Sequence, residues 1–578
     1  MNLKKKIVAG LLGVTLLTSL AACGSGKSES KSKSDKDELL TVDVYDGLAN
    51  YMGIQKGWFA EVIKEKFNIE LNIIAPNVAG NGDTLYQTRT AAGNLGDIII
   101  VNTGKEYTEL VKGGLLYDAT DSYKDMKNIK KFDRAVEYLN KDSDGVYGFP
   151  TAVSSLPSTT PSEGLDLNFG AYIRWDLYGK ENYPSMKTIE DILPVLKKMQ
   201  DTNPKSDSGK PTYGFSLFGD WDGTMMTMAK QMAPLYGYDE MGFAFAKADG
   251  TDYQNPMDDD SYYVRALKFF NKANQMGLVD PESTTQNYDT MYQKYQDGQI
   301  LFSWWPWLGQ AAYNTPENVG NGKGYMLAPI DDQEIFSFGA DVYGGKQFIG
   351  IGSQAKDPER IAEFIDWLYS PEGALANTSQ TQGSAGIEGL TWEMNKDGLP
   401  ELTEFGKKAL FDGKTTVPKE YGGGTYQDGV SALNVNTVLG IDINPDNGYP
   451  YNYTTWETYQ KDNTTPLQND WSSKMDNSST TLEYLEKEKQ VMVAPGASYV
   501  APEEDSEIEV LRNQIGSTIT EYSWKAIFAK DDTECDKLIE EMRNIVYGLN
   551  YEKVYDIDLA NAKERNEQRI LVKEEYGE

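Results

Sequence analysis

Strands and helices alternate along the first part of the chain, and this order limits the fold more than any other feature. Residues 39–47 alternate in polarity as a strand does, and the apolar residues of 50–67 fall at helical spacing. A strand at 68–76, a helix beginning near Asp83 and a buried apolar strand at 96–104 follow. Because parallel strands are joined by right-handed crossovers, this β-α-β-α-β order predicts an open parallel sheet.

Polar and aromatic side chains follow the predicted strands of this sheet. The first strand runs into Asp46, Asn50 and Tyr51, and the third runs into Asn102. Ligands of open α/β sheets bind beyond the carboxyl ends of the strands, where these residues would lie. All four are therefore candidate ligand contacts, and a role in local structure is the alternative for each.

A second unit follows, and tryptophans gather in two of its predicted loops. Trp304, Trp305 and Trp307 follow a predicted buried strand, and Trp221 lies between two aspartates in the sequence GDWDG. Flat rings stack on the C–H faces of sugars, whose hydroxyl groups need polar partners such as Asp222. Three tryptophans in four positions are hard to bury in one core, although burial of one or two is the alternative. The pattern predicts a carbohydrate-binding surface.

Further polar side chains are candidate partners for ligand hydroxyl groups. Buried hydrogen bonds of this kind discriminate between sugars chiefly because the wrong epimer leaves them unpaired. A structural role is again the alternative for each. Beyond the residues named above, the candidate acceptor is Asp341 and the candidate bidentate donors are Arg89 and Arg174.

The absence of histidine removes several classes of chemistry. Without it there is no Ser-His-Asp or Cys-His catalysis and no histidine-containing zinc site. The formal net charge of −33 argues against binding to nucleic acid or to anionic lipid headgroups. Glycoside hydrolysis by paired carboxylates stays open, because 88 residues are Asp or Glu. No cofactor is expected.

Two loops contain spaced acidic residues without forming a calcium motif. In residues 201–212 (DTNPKSDSGKPT), Pro204 and Lys205 interrupt the spacing of an EF-hand loop. Residues 442–448 (DINPDNG) lack the bidentate glutamate at the twelfth position. The sequence therefore predicts no metal site in either loop.

The N-terminus has the features of a bacterial secretion signal. Residues 1–22 contain a lysine-rich start and an apolar stretch that is too short to span a bilayer comfortably. The sequence LAAC at 20–23 resembles a lipobox, which predicts lipidation of Cys23 with more than one acyl chain. Residues 23–38 are small, polar and charged, and we expect a flexible tether. An uncleaved membrane helix is the alternative.

Several segments resemble, in order, the landmarks of one family. They are AAGNLGDIII, LVKGGLLYDAT, DGVYGFPT, YIRWDLYGK with the helix after it, and DPERIAEFIDWLYSPEG. The chain resembles the large extracellular solute-binding lipoproteins of ABC importers, which mostly carry oligosaccharides, and is most similar to members from Gram-positive, clostridial-type bacteria. The resemblance covers about residues 40 to 400 and the helical tail.

The resemblance implies a two-lobed α/β fold of the periplasmic-binding-protein type (type II). Each lobe would be an open sheet flanked by helices, the lobes would close on ligand by a hinge motion, and extra helices would end the chain. The implied protein is a monomer that passes an oligosaccharide to a separate permease and has no catalytic activity. The expected division is 1–22 signal peptide, 23–38 tether, 39–150 with about 325–370 lobe 1, 151–324 with about 371–504 lobe 2, and 505–578 C-terminal helices.

Two other functions remain alternatives at this point. A lipid-anchored glycoside hydrolase needs two facing carboxylates, which the sequence does not exclude. A peptide-binding lipoprotein would need charges for both peptide termini, which a tryptophan-lined cleft with few cations does not favour. Residues 415–480 show little periodicity, and we predict only that they cover another surface.

Overall fold

The computed structural model describes residues 38–79, 82–377, 383–497, 499 and 501–575. The expected signal peptide, Cys23 and nearly all of the expected tether lie outside the described residues. Within the described part of the chain, strands and helices form two α/β bodies with separate cores, and the bounds of their elements follow in chain order.

The strands are β1 (Leu40–Asp46), β2 (Gly53–Ile54), β3 (Ile69–Ile74), β4 (Ile98–Asn102), β5 (Phe149–Pro150), β6 (Tyr172–Arg174), β7 (Tyr238–Met241), β8 (Ala244–Lys247), β9 (Tyr253–Gln254), β10 (Phe302–Ser303), β11 (Tyr325–Leu327), β12 (Ile335–Phe338), β13 (Gln347–Ile351), β14 (Trp392–Met394), β15 (Pro400–Leu402) and β16 (Val491–Ala494).

The α-helices are α1 (Gly57–Phe67), α2 (Pro76–Ala79), α3 (Gly82–Ala91), α4 (Lys105–Lys112), α5 (Thr120–Tyr123), α6 (Asp133–Asn140), α7 (Trp175–Lys180), α8 (Ile192–Thr202), α9 (Thr227–Lys230), α10 (Met232–Leu235), α11 (Tyr262–Gln275), α12 (Tyr288–Gln296), α13 (Pro306–Tyr313), α14 (Pro316–Gly320), α15 (Pro358–Leu368), α16 (Pro371–Ala376), α17 (Glu404–Asp412), α18 (Glu457–Asp462), α19 (Pro466–Lys474), α20 (Thr481–Glu488), α21 (Ser506–Ile527), α22 (Asp532–Gly548) and α23 (Tyr551–Glu575). Short 3-10 helices lie at Ile129–Phe132, Ile189–Asp191, Pro281–Thr284, Lys419–Tyr421, Gln427–Gly429 and Tyr453–Thr455.

The sheet of the first body, lobe 1, has the strand order β2-β3-β1-β4-β13-β5. Its centre is parallel: Val44 in β1 lies opposite Ile73 in β3 and Ile98 in β4. Helices connect these strands, which confirms the predicted β-α-β-α-β order. The later strand β13 pairs antiparallel with β4, and β5 pairs antiparallel with β13. The carboxyl ends of β1, β3 and β4 consequently share one edge, which we call the ligand edge of lobe 1.

The helix that packs against this sheet begins at the predicted residue. Asp357 is the N-cap of α15 and its side chain accepts the backbone N–H of Arg360, and Pro358 is the first helical residue. The predicted apolar face, which includes Ile361 and Phe364, is buried in the core of lobe 1.

The second body, lobe 2, has a sheet built around β6, which pairs antiparallel with β10 and β11. Tyr213 and Phe215 extend it through parallel bridges to Ile300 and Val279. The C-terminal helices α21 and α22 pack on α11, where Asn271 Nδ2 donates to carbonyl groups at the end of α21. The expected C-terminal helices are therefore present and share the core of lobe 2.

The two cores show where the chain passes between the lobes. Buried residues of the main lobe 1 core come from 42–153 and 349–456, and those of the main lobe 2 core come from 167–335 and 467–554. The expected boundary near residue 370 differs from this division, because apolar side chains between 375 and 456 pack in lobe 1. Spacing along the chain cannot reveal such long-range packing.

A buried ion network attaches α23 to lobe 2. Asp239 in β7 accepts from Arg565 at 2.6 Å and from Arg569 at 2.9 Å, and all three side chains are at most 12% exposed. Removing one partner of a buried ion pair leaves an uncompensated charge and costs much more than removing an exposed pair.

We expect Asp239→Ala to lower the free energy of unfolding by about 3 kcal/mol, because both arginines lose their counter-ion. Urea unfolding followed by tryptophan fluorescence measures this change. Asp121→Ala, which removes an exposed pair with Lys124, is the matched control and should leave the urea midpoint unchanged. Equal midpoints for the two variants would contradict the structural role of the network.

Candidate functional site

Three partly exposed aromatic side chains form a continuous surface on lobe 2. Trp221 stacks on Tyr288 with ring centroids 4.7 Å apart and lies 5.9 Å from Trp307. Trp221 is 45% exposed and Trp307 is 40% exposed. We call Trp221, Tyr288 and Trp307 the aromatic surface. Large contiguous apolar patches on protein surfaces are typical of interaction sites, which makes this surface a candidate.

The strands of lobe 2 place this surface at their carboxyl ends. Tyr213 and Ile300 form a parallel bridge, so the strand segments that contain them run in the same direction. The first leads into the loop that carries Trp221, and the second leads through β10 to Trp307. The aromatic surface therefore lies at the edge of the lobe 2 sheet where ligands of such folds bind.

Two aspartates hold the loop of Trp221 in place. Asp220 Oδ2 accepts the backbone N–H of Tyr288 at 2.8 Å. Asp222 accepts the backbone N–H of Thr227 and the indole N–H of Trp524, both at 2.8 Å. Burial raises the pKa of Asp222, although these two hydrogen bonds oppose the shift. The predicted ligand acceptor Asp222 thus serves the loop itself.

The three neighbouring tryptophans have different environments. Trp304 is 1% exposed and packs edge-on against Phe302 and Phe270 in the core. Trp305 is 4% exposed and stacks on Trp307 at 4.8 Å. Only Trp307 of the three presents a large open area, and Trp305 supports it from below.

The ligand edge of lobe 1 combines one buried carboxylate with exposed neighbours. Asp46 is fully buried, and its Oδ1 accepts the backbone N–H of Leu48 at 3.0 Å. Asn50 and Asn102 are exposed. Tyr51 is 39% exposed, and its hydroxyl donates to the backbone carbonyl of Ile54. Asn50, Tyr51 and Asn102 are thus accessible at this edge, whereas Asp46 is not.

The remaining predicted polar residues make local contacts. Arg89 Nε donates to the backbone carbonyl of Leu95. Arg174 is 4% exposed, forms a bidentate pair with Asp176 at 2.9 Å and lies over the ring of Tyr313 at 4.0 Å. Asp341 Oδ1 accepts the backbone N–H of Tyr343 at 3.0 Å. The structure does not bring these three side chains together.

The sequence did not single out two residues of the candidate site. Tyr288 begins α12, and its spacing of four from Tyr292 is a local sign of a shared helix face. Asn434 reaches the ligand edge of lobe 1, where its backbone N–H donates to Asp46 Oδ2. No local signal marks this contact, because 388 residues separate its partners.

Acidic side chains of the loops at 201–212 and 442–448 accept hydrogen bonds from other residues of the protein. Asp207 accepts from Lys323 at 2.9 Å and from Tyr313 at 2.9 Å. Asp442 accepts the backbone N–H and the hydroxyl of Ser155. Among the described residues, no group of three or more acidic or cysteine side chains is placed to hold a metal ion. In the same residues, no helix has the length and apolar content needed to cross a membrane.

Two α/β lobes, each with candidate contacts at the carboxyl ends of its strands, are typical of two-lobed binding proteins. Comparisons with known proteins give the family. The family model of the bacterial extracellular solute-binding proteins matches residues 53–375, more than half of the chain. The chain belongs to this family.

One curated protein and two solved structures are similar to this chain in sequence or in fold. The fructooligosaccharide ABC transporter substrate-binding protein FusA of Streptococcus pneumoniae is 24% identical over 310 residues, 51% of this chain and 54% of that protein. The chain thus spans about half the length of the curated relative it matches. A FusA EF-hand mutant in complex with fructo-nystose gives a TM-score of 0.53 at 16% identity, over 91% of this chain and 99% of the other. An HMO-binding, ABC-transporter-associated solute-binding protein of Bifidobacterium longum infantis gives 0.55 at 15%, with the same coverage.

These similarities show a periplasmic-binding-protein-like fold of type II, as the sequence resemblance implied.

The buried carboxyl of Asp46 gives the ligand edge a pH response. Burial raises the pKa of Asp46 to about 6 from its ordinary 3.8, although backbone N–H groups of Asn434, Leu48 and Ala49 oppose the shift. Between these two values the folded protein binds a proton that the unfolded chain releases. Asp46 therefore favours the folded state increasingly as the pH falls through this window.

We expect the stability of the protein relative to Asp46→Asn to rise as the pH falls from about 6 to about 4. The variant has no titrating group at this position, so the difference isolates the contribution of Asp46. Thermal unfolding of both proteins across this range measures it. A difference that shrinks on acidification would show that the pKa of Asp46 is not raised in the folded protein.

Proposed function

We propose that this protein captures an oligosaccharide outside the cell, between its two lobes, and delivers it as a monomer to the permease of an ABC transporter. The aromatic surface of lobe 2 carries this proposal. Its three rings lie side by side at the edge of the lobe 2 sheet and are partly exposed, although Tyr288 also packs against the lobe 2 core. The sugar-binding names of FusA and of the Bifidobacterium protein support it.

The chemistry of the two edges fits a sugar chain. Rings of tryptophan and tyrosine offer flat apolar faces to the C–H side of a pyranose, together with one polar group at the ring edge. Lobe 1 supplies the uncharged polar side chains of Asn50, Tyr51 and Asn102 for hydroxyl groups. An interface of stacked rings and a few polar contacts is typical of small-molecule sites.

Two carboxylates predicted as ligand contacts or lying at the ligand edge, Asp46 and Asp222, favour binding over hydrolysis. A glycosidase needs one carboxyl to donate a proton and a second to attack or to activate water. Asp46 and Asp222 instead accept hydrogen bonds from the protein's own N–H groups. The family comprises binding proteins, and we propose that this member also leaves its ligand chemically unchanged.

We expect Trp221→Ala and Trp307→Ala each to weaken oligosaccharide binding by roughly 10- to 100-fold, because each removes a stacking ring at the centre of the site. Isothermal calorimetry against β-glucan, α-glucan, fructan and host-type glycan fragments measures this. Phe411→Ala removes an aromatic ring that is 77% exposed on α17, outside the aromatic surface, and is the control. Unchanged affinity in both tryptophan variants, or turnover of a fragment by the unaltered protein, would contradict the proposal.

We further propose that Cys23 anchors the protein to the outer face of the cell membrane through lipid. The apolar stretch and LAAC sequence before it support this. The tether after it would keep a soluble globule near its permease.

We expect Cys23→Ala to release the protein from the membrane fraction into the medium, because a thioether-linked lipid can no longer form. Cell fractionation and labelling with a palmitate analogue measure the change. Cys535→Ala is the matched control, since this buried cysteine lies on α22. Membrane retention of the Cys23 variant would show that another segment holds the protein.

A further inference from the structure

A stretch of the unpatterned 415–480 region lies across the carboxyl end of β1. We call residues 430–436 the edge segment. The buried carboxylate of Asp46 accepts the backbone N–H of Asn434 through Oδ2 at 3.0 Å. Asn434 Nδ2 in turn donates to the carbonyl of Leu48 at 2.7 Å. These contacts place Asn434 at the ligand edge of lobe 1.

Both ends of the edge segment are fixed to lobe 1. Gln55 Nε2 donates to the carbonyl of Val430 at 3.0 Å, and Gln55 Oε1 accepts the N–H of Ala432 at 2.6 Å. At the other end, the N–H of Ala152 donates to the carbonyl of Asn436 at 2.7 Å. The segment is thereby hydrogen-bonded to lobe 1 at both ends, although it belongs to no regular sheet.

Burial alternates along the segment as it does along a strand. Every second side chain is buried and its neighbours are partly exposed, which is the period of an extended chain, although Ala432 also packs against the lobe 1 core. The inward side chains, at most 9% exposed, are Ser431, Leu433 and Val435. The partly exposed ones are Ala432, Asn434 and Asn436.

We propose that the edge segment forms the lobe 1 wall of the ligand cleft and that Asn434 is a ligand contact that helps determine specificity. This inference rests on the proposed function. One of the two side-chain N–H donors of Asn434 is used by the carbonyl of Leu48. Among the described residues, the side-chain oxygen of Asn434, Oδ1, has no protein partner. A primary amide with one free donor and one free acceptor matches two adjacent sugar hydroxyls.

The position of Asn434 is held independently of any ligand. Asp46 and Leu48 fix its backbone and one side-chain hydrogen, so the amide loses little conformational freedom when a sugar binds. A contact prepared in this way discriminates between epimers, because an incorrectly oriented hydroxyl leaves the amide desolvated and unpaired.

The test uses two kinds of ligand. The first is the fragment that the unaltered protein binds most tightly in the calorimetric panel of glucan, fructan and host-type glycan fragments. The second is the set of monodeoxy analogues of that fragment. We expect Asn434→Ala to weaken binding of the fragment about 10-fold, since one paired hydrogen-bonding group is lost. The matched control is Asn463→Ala, because Asn463 is exposed, lies in the same 415–480 region and also donates through Nδ2 to a backbone carbonyl. Its affinity should not change.

The deoxy analogues separate a direct contact from a merely structural role. For one analogue, the unaltered protein should lose affinity while Asn434→Ala binds it as well as the complete fragment. If Asn434→Ala binds the complete fragment as tightly as the unaltered protein does, the inference is overturned while the tryptophan variants can still support the proposed function. An affinity loss equal for the fragment and all analogues also overturns it, because the residue then only positions the loop. If no panel fragment binds the unaltered protein, both proposals fail.

Discussion

The strand β1 pairs parallel with both β3 and β4, and the ligand edge of lobe 1 depends on this pairing. Strands that run in the same direction end at the same edge, and crossover helices then have to cover both faces of the sheet. Asp46 is the last residue of β1 and is completely enclosed. Its burial is possible because backbone N–H groups from two distant parts of the chain converge on its two oxygens.

The carboxylates of the candidate site act as supports for the residues around them. Asp220 and Asp222 orient the loop of Trp221, and Asp46 orients the loop of Leu48 together with Asn434. The surfaces left for a ligand are consequently rings on lobe 2 and uncharged amide and hydroxyl groups on lobe 1. Such surfaces suit the neutral, hydroxyl-rich ligand of the proposed function.

The repeated passage of the chain between the lobes explains how a long region without periodicity comes to lie at the ligand edge of lobe 1. Residues near 153, 349 and 456 border the passages, and the region before the last one packs on lobe 1. Its edge segment is extended because side chains of lobe 1, including Gln55, hold its backbone groups. Its own sequence needs no strong propensity for a strand, since tertiary contacts supply the order.

Local patterns in the sequence determined the α/β class, the order of elements in lobe 1 and the start of α15 at its Asp357 cap. These features depend on residues close together in the chain, which is why spacing reveals them. The tertiary structure alone decided which tryptophan is exposed, because burial depends on neighbours such as Phe270, which lies far from Trp304 in sequence. It also decided that 375–456 belongs to lobe 1 and that Asn434 meets Asp46, since both result from contacts across hundreds of residues.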